Sequence, residues 1–280
     1  MMKEIFIDSK RGSKIPVSLY EGDGSKGILL MAHSFRSEKE EDGRYVWLGE
    51  KLSQAGFICM APDFPGNGKS EEPFQNYSLT SCLEDLECCY AYLKKEYVFY
   101  PDKAALLGYS MGGRIISLFL ARHKEFSRLV FWASVLREFK EDDRFLEQDL
   151  GKLKKQTLEK GYCDFYDIFA EETVRMSKQF IDDLLCEDAL APLKEFEGEA
   201  LILQGGKDTT IEVENGQWIY DALRKAKKRS LILMPDADHG FGLWDGRAKD
   251  NEELLKKTLA FLCPDPVPSD PDGIIETELC

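Results

Sequence analysis

The stretch that most constrains this chain is Ala104-Ala105-Leu106-Leu107-Gly108-Tyr109-Ser110-Met111-Gly112-Gly113, followed by Arg114-Ile115-Ile116-Ser117-Leu118-Phe119-Leu120. The unbroken apolar run ending at Leu107 suits a strand covered on both faces. The apolar spacing after Gly113 suits a helix packed on a sheet. Between them stands one serine, with a glycine two residues before it and another two residues after it. Lacking Cβ atoms, those glycines let strand and helix pass close to each other around a strained residue, which pushes the Ser110 hydroxyl out of the sheet. The switch from a strand-like to a helical period separates this G-x-S-x-G from a glycine-rich loop that merely contains serine.

The same alternation runs along most of the chain. Residues 4–8 and 15–20, joined by Arg11-Gly12-Ser13, read as an antiparallel hairpin. Residues 27–33 form a continuous apolar strand, followed by a charged loop over 36–42 and a helix over 45–54. The next buried strand, 57–61, ends in the breaker-rich Pro62-Asp63-Phe64-Pro65-Gly66-Asn67-Gly68. Leu83, Leu86, Tyr90 and Leu93 mark an amphipathic helix over 81–96. Further strands are expected at 128–132, 200–204 and 230–234, with helices at 213–223 and 252–262. Repeated strand–helix alternation implies an α/β fold with a mostly parallel sheet and helices on both faces.

Between about Leu136 and Glu195 the alternation stops. Helical stretches are expected over 142–160 and 172–185, around the aromatic cluster Phe165-Tyr166-Asp167-Ile168-Phe169. This is too long for a plain connection and reads as a cap inserted between two strands. Its aromatics would either line a pocket or anchor the cap to the core. The resulting division is a core of residues 1–136 and 196–263, a cap of 137–195, and a proline- and aspartate-rich tail of 264–280 expected to be disordered.

A formal net charge of −14 argues against a nucleic-acid backbone or an anionic membrane as main partner. No apolar run is long enough to span a bilayer, and Met1-Met2-Lys3-Glu4 opens directly into a strand-like segment, so a cytoplasmic location is expected. The eight cysteines include no C-x-x-C pair, and they read as reduced core residues rather than zinc ligands or disulfides. The oligomeric state is left open; a homodimer is compatible with the sequence.

A serine hydroxyl becomes a nucleophile only when a neighbouring base takes its proton, and histidine suits that task near neutral pH. Of three histidines, His123 reads as a solvated helix end and His33 as a brace in the loop after an early strand. His239, in a breaker-rich loop after the last strand, stands on the same sheet edge as Ser110 and is the candidate base. Asp208, in Gln204-Gly205-Gly206-Lys207-Asp208, is the candidate orienting carboxylate. Asp236 and Asp238 lie too close in sequence to reach around the ring, and Asp182 and Asp183 of the cap are weaker alternatives. The amides of Met111 and Phe35 are candidate oxyanion donors. Two decoys are set aside. Gly66-Asn67-Gly68-Lys69-Ser70 lacks the first glycine of a phosphate loop, and Glu38-Lys39-Glu40-Glu41-Asp42 reads as a solvated loop rather than a metal site.

G-Y-S-M-G, then Gly-Lys-Asp, then Asp-His-Gly, in this order and on this alternation, resembles the α/β-hydrolase superfamily. Asp63-Phe64-Pro65-Gly66-Asn67-Gly68-Lys69-Ser70 is similar to the D-x-x-G-x-G-x-S segment of its esterase, lipase and serine aminopeptidase-like branch. The modest cap and the H-x-F loop are most similar to feruloyl/cinnamoyl esterases. The resemblance covers roughly residues 15–263. It implies Ser110 as nucleophile, Asp208 as orienting acid, His239 as base, and the Phe35 and Met111 amides as the oxyanion hole. It also implies a small-molecule ester as substrate, with no cofactor or metal. A peptidase or amidase of the same fold and a non-catalytic binding protein are the alternatives. In one departure, Ser34 stands where the family has glycine.

Overall fold

The apolar runs become the middle of one eight-stranded sheet. The computed structural model describes residues 2–98, 100–244 and 246–264; apart from Pro264, the acidic tail lies outside the described residues. β1 (Met2–Asp8) and β2 (Lys14–Glu21) form the antiparallel hairpin. β2 then pairs antiparallel with β4 (Phe57–Pro62). Beyond that edge every pairing is parallel: β4 with β3 (Gly27–Ala32), then β5 (Ala105–Tyr109), β6 (Arg128–Trp132), and finally β11 (Glu199–Gly205) and β12 (Lys228–Met234).

Successive side chains of a strand point to opposite faces, and here both faces are covered. Ile28, Leu30, Leu106, Leu129, Phe131 and Ile202 belong to the core under α2 (Leu79–Glu96), α3 (Met111–Arg122) and α6 (Glu214–Ala222). Their neighbours Leu29, Met31, Leu107, Val130, Trp132 and Leu203 belong to the core under α1 (Arg44–Gln54) and α7 (Ala248–Leu262). α2 starts two residues earlier than the apolar spacing indicates. Ser78 caps it, its hydroxyl accepting from the Ser81 amide at 3.0 Å while the Ser78 amide donates to the Ser81 hydroxyl at 2.9 Å. Cys59, Cys82, Cys88, Cys89, Cys163 and Cys186 are free thiols.

Between β6 and β11 lie β7 (Arg144–Phe145), β8 (Gln148–Asp149), α4 (Leu150–Lys160), β9 (Tyr162–Asp167), β10 (Glu172–Ser177) and α5 (Lys178–Cys186). Two expectations are corrected here. Residues 172–177 are not helical but pair antiparallel with β9, Thr173 opposite Tyr166 and Arg175 opposite Asp164. β9 buries Cys163, Phe165 and Asp167 on one side, so its period is two, and its free edge recruits the following segment into a ladder. The helix begins only after Ser177, whose hydroxyl accepts from the Phe180 amide at 3.1 Å. Likewise 142–149 is a tight two-strand turn, and α4 starts behind the Asp149 cap.

α3 ties this segment to the sheet. Arg114, fully buried, donates to the carbonyls of Arg137 at 2.9 Å and Glu187 at 2.6 Å, and the Ser117 hydroxyl donates to the Ala189 carbonyl at 2.6 Å. His123 is not the solvated helix end expected. Its ring lies 4.4 Å from that of Phe119, and its Nε2 is 2.8 Å from Glu87 Oε2.

Candidate active site

Strand order decides where a site can form. β3 leads to β4 on one side and β5 leads to β6 on the other, so these two connections leave in opposite directions and open a crevice at the carboxyl ends of β3 and β5. Ser110 follows β5 directly, with φ 52°, a left-handed conformation unusual for a residue with a side chain. It is pinned by its amide donating to the Trp132 carbonyl at 2.9 Å and by its carbonyl accepting from the Gly113 amide at 3.1 Å. The flanking glycines are required by contact. A Cβ on Gly108 would come within 2.4 Å of the Gly112 backbone, and one on Gly112 within 2.0 Å of the Ala32 carbonyl oxygen.

His239 and Asp208 arrive from the turns after β12 and β11. His239 Nε2 lies 3.1 Å from Ser110 Oγ, and His239 Nδ1 lies 2.8 Å from Asp208 Oδ2. All three are buried. Asp208 is itself fixed: Oδ1 accepts from the amides of Thr210 at 2.9 Å and Ile211 at 3.0 Å, and Oδ2 accepts from Gln204 Nε2 at 3.1 Å. The Tyr109 hydroxyl donates to the His239 carbonyl at 2.9 Å. The other aspartates are engaged elsewhere. Asp236 pairs with Lys207 at 2.7 Å, Asp238 accepts from the Gly242 amide at 2.8 Å, Asp183 accepts from the Thr80 amide at 2.8 Å, and Asp182 pairs with Lys178.

The loop after β3 faces Ser110. Among the described residues neither the Phe35 nor the Met111 amide has a hydrogen-bond acceptor, and both residues line the cavity beside Ser110. Met111 opens α3, where the first amides of a helix lack intrahelical partners. His33 braces this loop. The Phe64 amide can only donate, so His33 Nε2 at 3.1 Å accepts, and Nδ1 carries the hydrogen given to the Ser34 carbonyl at 2.7 Å. Burial pushes the His33 imidazole down to about 4.

The acidic run is not the solvated loop expected, because Lys39 and Glu41 are each 1 % exposed. Glu41 accepts from the Ser34 amide at 2.7 Å and from the hydroxyls of Ser34 at 3.0 Å and Ser37 at 2.9 Å. The serine that replaces the family's glycine is therefore a hydrogen-bond donor to a buried carboxylate. Burial raises the Glu41 carboxyl above the ordinary carboxylate range, and the nearby Arg44 guanidinium, at 3.4 Å, opposes that rise. Arg44 also lies over the Tyr109 ring at 4.5 Å, so it bridges the loop after β3 to the histidine side. Lys39 pairs with Asp63 at 3.0 Å, and Asp63 also accepts from the Lys69 amide at 2.9 Å. The chain's own carboxylate thus fills the turn that superficially matched a phosphate loop. Sequence reasoning missed Glu41 and Arg44, although their spacing of three just before an apolar helix is the signal that could have paired them.

Two cavity lobes meet at Ser110. One, of about 680 Å³, is walled by Phe35, Met111, Val135, Phe139, Phe145 and Ile168. The other, of about 310 Å³, contains His239, Trp244, Ser37 and Asp42. Phe169 borders both. Of the cap aromatics, Phe165 is buried as an anchor, whereas Phe169, beside Ile168, lines the cavity. Among the described residues no cluster of side chains could hold a metal ion, and no helix is long and apolar enough to cross a membrane.

A parallel sheet in this order, with a serine at the sharp turn after its central strand, defines the α/β-hydrolase class. The family model described as serine aminopeptidase, S33, matches residues 24–162. The chain is 23 % identical to the AB hydrolase superfamily protein YisY of Bacillus subtilis (strain 168) over 216 residues, 68 % of this chain and 77 % of that protein. Its fold matches Est1E of Butyrivibrio proteoclasticus with ferulic acid bound, at a TM-score of 0.73 and 17 % identity, covering 91 % of this chain and 98 % of that one. An esterase from Pyrococcus furiosus matches at 0.61 and 18 % identity, covering 92 % and 91 %. The chain has the α/β-hydrolase fold, and its family-model match and its likeness to YisY point to this branch.

Proposed function

We propose that the chain hydrolyses carboxylic esters through an acyl-enzyme formed on Ser110. The observation that carries this reading is the continuous line from Asp208 Oδ2 to His239 Nδ1, 2.8 Å, and from His239 Nε2 to Ser110 Oγ, 3.1 Å, at the floor of a cavity. With its hydrogen on Nδ1 donated to Asp208, the imidazole offers Nε2 to the serine hydroxyl. Ser110 Oγ attacks the carbonyl carbon as His239 takes its proton, and the developing oxyanion turns to the Phe35 and Met111 amides. The carbon–oxygen bond to the alcohol then breaks, and His239 returns the proton to the departing alkoxide. Water attacks the acyl-enzyme by the same route and releases the acid. Asp208 holds the ring and remains a carboxylate throughout.

The leaving group must reach His239, so it belongs in the lobe that contains His239. The acyl group then extends into the larger lobe, whose aromatic wall of Phe35, Phe139 and Phe145 suits a flat or apolar acid. The ferulic acid held by Est1E and the esterase among the similar structures support an ester over an amide. The description of the matching family, a serine aminopeptidase, favours the amide as the second reading.

Turnover of p-nitrophenyl acetate, methyl ferulate and aminoacyl anilides distinguishes the readings. Esters are expected to be cleaved and anilides not, and Ser110→Ala should lower kcat by at least about 10⁴-fold and abolish fluorophosphonate labelling. Full turnover by Ser110→Ala would end the assignment.

A further inference from the structure

The residue after Phe35 is held by the cap. Arg36 has φ 62°, a second left-handed residue beside the site. Its Nε donates to Asp167 Oδ2 at 2.8 Å, its Nη2 meets Glu172, and its guanidinium lies 4.8 Å over the Phe74 ring. Asp167 ends β9 and Glu172 opens β10, and the two are cross-strand partners, so Arg36 grips the mouth of the cap hairpin. The second oxygen of Asp167 accepts from the Phe169 amide at 2.9 Å and the Ala170 amide at 3.2 Å. That shapes the turn carrying Phe169, whose ring lies 5.6 Å from Trp244, itself 5.8 Å from His239. The Phe35 ring is sunk among cap side chains, 5.3 Å from Phe145 and 5.8 Å from both Phe165 and Phe180. From below, Glu41 holds Ser34.

We infer that Arg36 and Asp167 form a positioning pair through which the seated cap fixes the Phe35 amide at the oxyanion site. This rests on the acyl-enzyme reading above, in which that amide is a donor. The left-handed Arg36 and the half-buried Phe35 ring, packed among cap aromatics, leave the loop one arrangement while the cap hairpin is clamped. With the clamp gone, the loop keeps its bonds to Glu41 from Ser34 and Ser37 but loses the hold on Arg36 and, through it, on the peptide that follows Phe35. The pair touches neither nucleophile nor base, so its effect falls on stabilisation of the developing charge rather than on ground-state binding.

The test uses Arg36→Met, which keeps the stem and removes the charge, and Asp167→Asn, which keeps an acceptor for the Phe169 and Ala170 amides. Each should lower kcat on p-nitrophenyl acetate about 10-fold with KM changed less than about 2-fold, a fraction of what losing a whole oxyanion donor costs. Affinity for a trifluoromethyl ketone, whose hemiketal oxygen occupies the oxyanion site, should fall by the same factor. The double variant should be no slower than the worse single, and Arg36→Lys should recover part of kcat. If Arg36→Met does not fold, Asp167→Asn alone carries the test, with circular dichroism as the check. Unchanged kcat, a rise in KM alone, or effects that multiply in the double variant would each overturn the pair. Ser110→Ala separates the failures: turnover lost there but retained in the pair variants sinks this inference alone, whereas turnover retained in Ser110→Ala sinks both.

Discussion

The two halves of the site are held by different physics. On the sheet side, Ser110, Asp208 and His239 stand at the ends of buried parallel strands, each fixed by short hydrogen bonds to backbone that cannot move without disturbing the core. On the cap side, Phe35, Arg36, Phe145 and Phe169 are held through ring contacts and the two ion pairs of Arg36, on elements as short as the two-residue β7 and β8. Hydrogen bonds to buried backbone have one good geometry, whereas ring contacts tolerate several. On the acyl-enzyme reading, the reacting atoms then belong to the sheet and the shape of the cavity to the cap.

The largest expected effect lies on the sheet side. Asp208→Asn should lower kcat by about 10⁴-fold, about 5.5 kcal/mol, because an amide facing His239 Nδ1 favours the wrong tautomer. The neighbouring acceptor for Thr210 and Ile211 is preserved, so the fold should remain and KM should change little. Steady-state kinetics with a melting curve checks both. A loss below about 100-fold would mean that the sheet side is less committed than its geometry implies.

The same contrast governs what could be read from the sequence. The sheet was legible because a strand buried on both faces must be apolar at every position, as residues 28–31 and 105–107 are, and the apolar helix faces then follow. The sharp turn at Ser110 was legible because only glycine fits at Gly108 and Gly112. The cap was not legible in detail. Its hairpin is made of Glu172, Thr173 and Arg175, polar residues whose strand state comes from pairing with β9 rather than from their own pattern. Nor could a charged run reveal that Lys39 is buried, since its partner Asp63 is distant in sequence and acts through space. His123 fails in the same way, its cover coming from Tyr90 and Glu87 of another helix.

The next effect is one of stability and separates the halves by pH. Residues 137–195 hold none of the three histidines, whereas His33 sits buried beneath the loop after β3. Its folded value is about 4 against an ordinary 6.5, so as pH falls below 6.5 the unfolded chain takes up the proton first. His33 therefore contributes nothing to pH sensitivity above 6.5 and destabilises progressively from 6.5 down to 4, by about 3 kcal/mol in all. His33→Gln keeps an acceptor for the Phe64 amide and does not titrate. Urea unfolding at pH 7.5 and pH 4 should show the variant losing less stability than the parent by about that amount. Parallel losses in the two proteins would remove His33 from the account.

The smallest expected effect sits on the cap and is selective rather than uniform. Phe169 is 56 % exposed, borders both lobes of the cavity, and touches Trp244 rather than any of the three reacting side chains. Phe169→Ala removes one aromatic wall while leaving the Ser110–His239–Asp208 line untouched. A single aromatic contact is worth about 0.5–1.5 kcal/mol, so kcat/KM for an ester large enough to reach that wall should fall about 3- to 10-fold. An acetyl ester, too short to touch the ring on the acyl side, should change less than about 2-fold on kcat. Measuring the ratio of methyl ferulate to p-nitrophenyl acetate turnover isolates the effect. If both substrates slowed equally, Phe169 would be acting through His239 by way of Trp244, and the boundary between reacting atoms and cavity shape would run through the cap instead of along the sheet edge.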